Sequence, residues 1–264
     1  MIRQRLSAAR VACGTIRCVA LTVITGLVVA LAATFVSLAL FVRTAFGRVP
    51  HAITFLPVPL VLFNVWMTAE FVFETLSQFA LTAMTPATAM RVVAFVFLVA
   101  SLALVGFLYG CVSVVHQLLG GPLARRVRRG AKHLSLLFGA LLIVGWSAYQ
   151  FQASTALFNP LRRILGVAQF PVVLAAWIWL LVGARSLDDQ PWRSAVQRLA
   201  RTYVALFSLT FALAAVRDRL RAVGPALPLV VDIGVLLAYT LLTVVWVESA
   251  QRAGRRAPAH QAMP

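Results

Sequence analysis

Charge is scarce in this chain, and what there is has one sign: seven acidic residues face 23 arginines and a single lysine in 264 residues, and only 12% of the chain is charged. A soluble domain carries about 25% charged and roughly 45 to 50% apolar residues, whereas 61% of this chain is hydrophobic. So large an apolar excess cannot be buried in one water-soluble core and needs lipid as its solvent. Cysteine is scarce as well. Cys13, Cys18 and Cys111 form no CxxC pair and no Cys/His cluster, which leaves out a disulfide framework and a zinc-type site, and no metal or cofactor is expected. Cys13 and Cys18 are acylation candidates if they face the cytoplasm, though a small inert residue is the simpler reading.

Catalytic signatures are missing too. The chain has no HExxH, no nucleophile elbow, no phosphate-binding glycine loop and no dinucleotide fingerprint. Glu70 and Glu74 stand at helical spacing, but no histidine or arginine beside them completes an intramembrane hydrolase. The only lysine, Lys132, lies outside the apolar blocks, which argues against a retinal-type Schiff base. The chain is not expected to be an enzyme.

What the chain does have is apolar blocks, most of them long enough to span a bilayer and apolar all round. A lipid-exposed backbone must satisfy its own hydrogen bonds, so each block is read as a helix. The reading is an all-α integral membrane protein, a bundle of about seven transmembrane helices over 18–42, 53–76, 92–115, 134–158, 164–183, 202–216 and 229–247. A basic segment at 1–17, a candidate interfacial helix, precedes the bundle at 18–247, and a small, polar, disordered tail at 248–264 follows it. The sixth helix is the weak one: only fifteen apolar or neutral residues separate Arg201 from Arg217, where about twenty are needed. If 202–216 does not span, the count drops to six.

A net charge of +17 would point to nucleic acid in a soluble protein. Here the cations fall between the apolar blocks, and no soluble region is left to carry a reading head, so the expected partner is the bilayer and its anionic lipids. A cytoplasmic or membrane protein partner is a further expectation. Arg125, Arg126, Arg128, Arg129 and Lys132 form the densest basic run, read first as a topology determinant and second as a lipid headgroup contact. Fourteen of the 24 cations fall on the side of the C-terminus and ten on the side of the N-terminus. The positive-inside rule therefore places the chain in the cytoplasmic membrane with the N-terminus out and the C-terminus in.

A carboxylate inside a spanning helix costs about 2.5 to 3.5 kcal/mol on insertion scales and so calls for a reason. Glu70, Glu74 and Asp232 qualify. Trp66, Glu70, Glu74 and Gln78 recur every four residues along one helix face. With consecutive helices antiparallel, Glu70, Glu74, Gln150, Gln169 and Asp232 collect on the N-terminal side of the membrane. They are the candidate ligand-binding residues of a polar vestibule between the second, fourth, fifth and seventh helices, with Glu70 and Asp232 as charged anchors. The plainer alternative is polar helix ends neutralised by Arg91, Arg162 or Arg163. Gly106 and Gly110 make a GxxxG spacing suited to close helix packing. The function class expected is a sensory, signalling or accessory membrane component with this pocket. The alternative is a transporter or a membrane subunit of a transport complex, although no internal repeat of the kind many transporters carry is evident.

Overall fold

The structure is a computed structural model that describes residues 2–46, 56–79, 84–152, 158–188 and 190–256. Among the described residues the chain forms α1 (Ile2–Phe46), α2 (Pro57–Phe79), α3 (Pro86–Leu119), α4 (Gly121–Gln152), α5 (Phe158–Gly183), α6 (Gln190–Ala215), α7 (Arg217–Val223) and α8 (Leu227–Arg256). No strand occurs among them. Six helices are long and apolar enough to cross a membrane: α1 from Cys18, α2, α3, α4, α5 and α8. The chain is a multi-pass helical membrane protein.

Local chemistry sets several boundaries. Pro57 and Pro59 sit in the first turn of α2, where a missing N–H leaves no intrahelical partner unmet. Thr85 caps α3, accepting from the Thr88 N–H at 3.4 Å, with Pro86 opening the helix. This cap starts α3 six residues before the expected 92. Gly120 and Gly121, with φ of 65° and 83°, turn α3 directly into α4, a backbone region that suits glycine. α4 therefore begins thirteen residues before the expected 134, and the basic run Arg125 to Lys132 lies on its opening turns instead of in a loop. Arginine and alanine are good helix formers, and 32 residues make a helix of about 48 Å, longer than the roughly 30 Å of hydrocarbon.

Pairings along the helices fix their directions. Gly26 lies against Phe71 and the Asn64 amide donates to the Ala33 carbonyl at 3.0 Å, so α1 and α2 run antiparallel. α2 and α3 also run antiparallel, with Pro59 against Gly110 and Phe73 against Phe97, as do α3 and α4, with Leu102 against Gly139 and Phe95 against Trp146. α5 lies parallel to α3, carrying Arg162 to Phe97 and Gly183 to Leu119. α6 returns along both α5 and α8: Trp177 meets Tyr203, Phe170 meets Phe211, Trp192 meets Trp246 and Phe207 meets Tyr239. α8 then ends beside the end of α1, where Arg43 pairs with Glu248 at 2.5 Å. α6 is 26 residues long. It is the helix that turns the chain back between α5 and α8.

The core is an aromatic layer at mid-bundle. Phe63, Phe107, Phe207, Tyr239, Tyr203 and Trp177 are each at most 4% exposed and join α2, α3, α5, α6 and α8. Ring centroids stand 4.8 Å apart for Phe63 and Tyr239, 5.3 Å for Tyr203 and Tyr239, and 4.4 Å for Trp177 and Tyr203. The offset and edge contacts are those that aromatic quadrupoles favour. Two polar ties lie in the same layer. The Thr240 hydroxyl stands 3.3 Å from both ends of the fully buried Asn64 amide, and the Tyr203 hydroxyl is hydrogen-bonded to Thr243. By contrast α1 and α4 turn large apolar side chains outward, among them Leu21, Phe35, Leu136 and Val144, as lipid-facing helices do.

Nine residues of the expected tail, 248–256, continue α8. The rest of it, and the side chains of 1–17, lie outside the described residues.

Gly106 and Gly110 both face α2. A Cβ at Gly106 would come within 3.0 Å of the end of the flexible Leu62 side chain, whereas one at Gly110 would stand 3.0 Å from Pro59 Cβ and 3.2 Å from its Cα. Gly110→Ala is therefore expected to destabilise the bundle by about 1 to 3 kcal/mol and Gly106→Ala by clearly less. Thermal unfolding in detergent, read from maleimide labelling of the buried Cys111 in a chain with Cys13 and Cys18 replaced by serine, measures both. Equal losses would contradict this packing.

Candidate functional site

Above the aromatic layer, toward the end of the bundle where α2 finishes and α8 begins, lies a cavity of about 380 Å³. Its floor is Phe63, Phe107 and Phe207, the upper rings of the aromatic layer. Its walls come from α2, α5, α6, α7 and α8, and four of the expected residues share them: Glu70, Glu74, Gln169 and Asp232. Helical spacing explains the placement. Met67, Glu70, Phe71 and Glu74 fall on one stripe of α2, and Asp232 lies one turn before Val235 on the facing stripe of α8.

Gln150 is not among the lining residues. Its amide donates to the Arg91 carbonyl at 3.4 Å, because α4 packs on the outer side of α3 and against α5, without reaching α2 or α8 in more than a marginal way. The vestibule is thus bounded by α6 and α7 where α4 was expected.

The ion pairing also differs from expectation. Asp232 is held by Arg217, with Nη2 to Oδ2 at 2.8 Å and Nη1 to Oδ1 at 3.4 Å, the two-pronged geometry of guanidinium with carboxylate. Arg217 opens α7, a seven-residue helix whose Leu220 and Arg221 complete the wall. In the sequence Arg217 marks only the boundary of the short apolar stretch 202–216. The signal that could have found it is its position fifteen residues before Asp232 across the Gly224 to Pro228 break, a separation that lets a tight helix-to-helix return bring the two together.

Glu70 accepts the Trp66 indole N–H at 3.3 Å. Neither Glu70 nor Glu74 has a cation within 4 Å among the described residues. Glu70, Trp66 and Gln169 also line a smaller cavity of about 120 Å³ between α2, α3 and α5, opposite Arg162. The Arg162 guanidinium lies 3.4 Å from the centre of the Phe97 ring, a cation–π contact. Gln169 Oε1 is buried without a hydrogen-bond partner among the described residues. Among the described residues the site therefore offers two carboxylates without ion-pair partners and a free amide oxygen, beside Arg217 and Arg221, above a floor of aromatic faces. Such a set suits a cation with an apolar body.

No protein-family model, curated protein or solved structure matches this chain. Its function must be argued from the site.

The Arg217 and Asp232 side chains are 40% and 25% exposed, so breaking the pair is expected to cost less than a fully buried one, about 1 to 2 kcal/mol. Arg217→Ala should lower the unfolding temperature, and Asp232→Asn added to it should restore most of the loss, since the second change removes the stranded charge. A double-mutant cycle by thermal unfolding measures this coupling. Additive losses would show that the pair contributes nothing to the wall.

Proposed function

We propose that this chain is a seven-span sensory or accessory membrane component that receives a small organic cation in the cavity between α2, α5, α6, α7 and α8. The observation that carries this reading is the form of the cavity: three carboxylates and the Gln169 amide at its walls against the two cations Arg217 and Arg221, aromatic rings at its floor, and Tyr203 and Tyr239, each 1% exposed, packed beneath that floor. A cavity stopped at mid-bundle can be filled from one side and can report its occupancy through the rings that five helices share. The seventh span is α6. In favour of it, α8 lies parallel to α1, with Ala33 and Thr240 both at Asn64 and Arg43 at Glu248, as an odd number of crossings requires, and α6 runs antiparallel to both of its neighbours. Its lower apolarity comes from its first half, where Gln190, Arg193, Gln197, Arg198 and Arg201 precede an apolar stretch.

In this reading the N-terminus and the cavity face outward, with the more basic end toward the cytoplasm. Any signal passes to a protein partner there, and the chain itself performs no catalysis. A second reading, a transporter, is favoured by one feature: Glu70 lines both cavities, so a carboxylate stands between two compartments of the bundle. Transport would require the Phe63, Phe107 and Phe207 floor to open.

The test uses the full chain in nanodiscs with benzyltrimethylammonium as probe, following tryptophan fluorescence with Trp66→Phe as the control for the reporting ring. Saturable quenching is expected, weakened about tenfold or more by Glu70→Gln with Glu74→Gln, as loss of a charge-assisted contact implies. Equal affinity for an uncharged isostere, or no effect of the double substitution, would overturn the cation reading. Probe accumulation in sealed proteoliposomes would replace the sensor with the transporter.

A further inference from the structure

At the opposite end of the bundle, the basic run divides into two sets once it is placed on a helix. Arg125, Arg128 and Lys132 recur at intervals of three and four along one flank of α4, with Arg128 half-buried on the side toward α3 and Arg125 and Lys132 exposed beside it. Arg126 and Arg129, a residue further on from Arg125 and Arg128, are exposed too and are displaced further around the helix. The facing stripe of α3 carries Tyr109 and His116. The Tyr109 hydroxyl is a partner of Arg128 and lies within electrostatic reach of Lys132, while His116 lies within reach of Arg125 and Arg128. Three cations and two polar ring side chains thus converge on one groove between α3 and α4.

No internal counterion answers them. α3 and α4 contain no aspartate or glutamate. Among the described residues the ion pairs within 4 Å are Arg43 with Glu248 and Arg217 with Asp232, neither of them in this groove. Like charges are therefore held together on adjacent turns without an acid to offset their repulsion. Directly below them along α4, Leu134, Leu136 and Leu137 are 58%, 62% and 56% exposed, so the groove opens onto an acyl-chain surface. Its depth matches a headgroup layer, since α4 exceeds the hydrocarbon thickness by several turns at this end.

We propose that the groove between α3 and α4 formed by Tyr109, His116, Arg125, Arg128 and Lys132 binds the phosphate headgroup of an anionic phospholipid, whose acyl chains lie along the leucines of α4. Charge complementarity and the adjoining apolar face together select a lipid over a soluble anion. Arg126 and Arg129 belong to general attraction to the surface and not to the site.

The experiment compares the full chain with Arg125→Gln/Arg128→Gln/Lys132→Gln and with Arg126→Gln/Arg129→Gln, each reconstituted in phosphatidylcholine vesicles containing graded phosphatidylglycerol. Spin-labelled phosphatidylglycerol reports the motionally restricted fraction, and labelled phosphatidylcholine sets the baseline. Selectivity for the anionic lipid is expected to fall about fivefold for each charge removed from the groove and to change little for the outward pair. Equal losses in the two variants would overturn the site in favour of unspecific surface charge. Displacement of the bound lipid by millimolar inorganic phosphate would overturn the lipid as occupant in favour of a free anion. If the triple variant does not fold, Arg128→Gln alone against Arg129→Gln makes the same comparison.

Discussion

The packing of Phe63 against Tyr239, and of the rings around them, is the constraint on which the other features depend. In lipid the hydrophobic effect gives helices little reason to associate, because the surrounding tails are as apolar as leucine. Shape complementarity and interhelical hydrogen bonds have to supply the preference instead. This layer provides both: six large rings from five helices meet within about one turn of the Asn64 and Thr240 contact and the Tyr203 and Thr243 contact. Asn64 also reaches back to the Ala33 carbonyl, so α1 is tied to the same layer. Because the rings fill the middle of the bundle, space is left only toward the ends. The carboxylate cavity is what remains above them.

Charge follows the same division. The carboxylates Glu70, Glu74 and Asp232 stand at the end of the bundle where α8 begins, while the hairpin of α3 and α4 presents cations without a single acid at the other. A membrane protein can keep acid-free cations in the α3 and α4 hairpin because headgroups and bulk water can complete their charge balance. Two ion pairs cross between helices as well, Arg217 with Asp232 and Arg43 with Glu248, both of them partly exposed. Of the three acids at the end where α8 begins, Glu70 and Glu74 have no ion pair within 4 Å among the described residues.

Much of the bundle was legible in the sequence because a bilayer imposes a length on apolar segments, and six of the expected blocks have counterparts in helices apolar enough to span. The gathering of Glu70, Glu74, Gln169 and Asp232 was legible as well, from alternating direction alone. What escaped was whatever depended on lateral position. Gln150 lies at the expected height but on α4, which packs outside α3, and height along the membrane carries no information on which neighbours a helix has. The boundaries of α3, α4 and α6 were drawn too short for a related reason: hydropathy stops at the first cation, whereas helices continue through arginines such as Arg125 and Arg198 into the interface. The Arg217 and Asp232 pair needed knowledge of the α7 return, which no periodicity shows.

The central claim, that α6 completes a seventh crossing and leaves the carboxylate cavity on one side, is tested most directly by the accessibility of single cysteines. In a chain with Cys13, Cys18 and Cys111 replaced, one cysteine at a time would stand in place of Thr85, Asn159, Pro225, Arg126, Asp188 or Ser249 in sealed, right-side-out vesicles, with an impermeant maleimide added before or after permeabilisation. The account predicts that positions 85, 159 and 225 label together from outside, and that 126, 188 and 249 label only after permeabilisation. Labelling of position 225 together with 188, and of 249 together with 85, would show that α6 does not cross and would contradict the account.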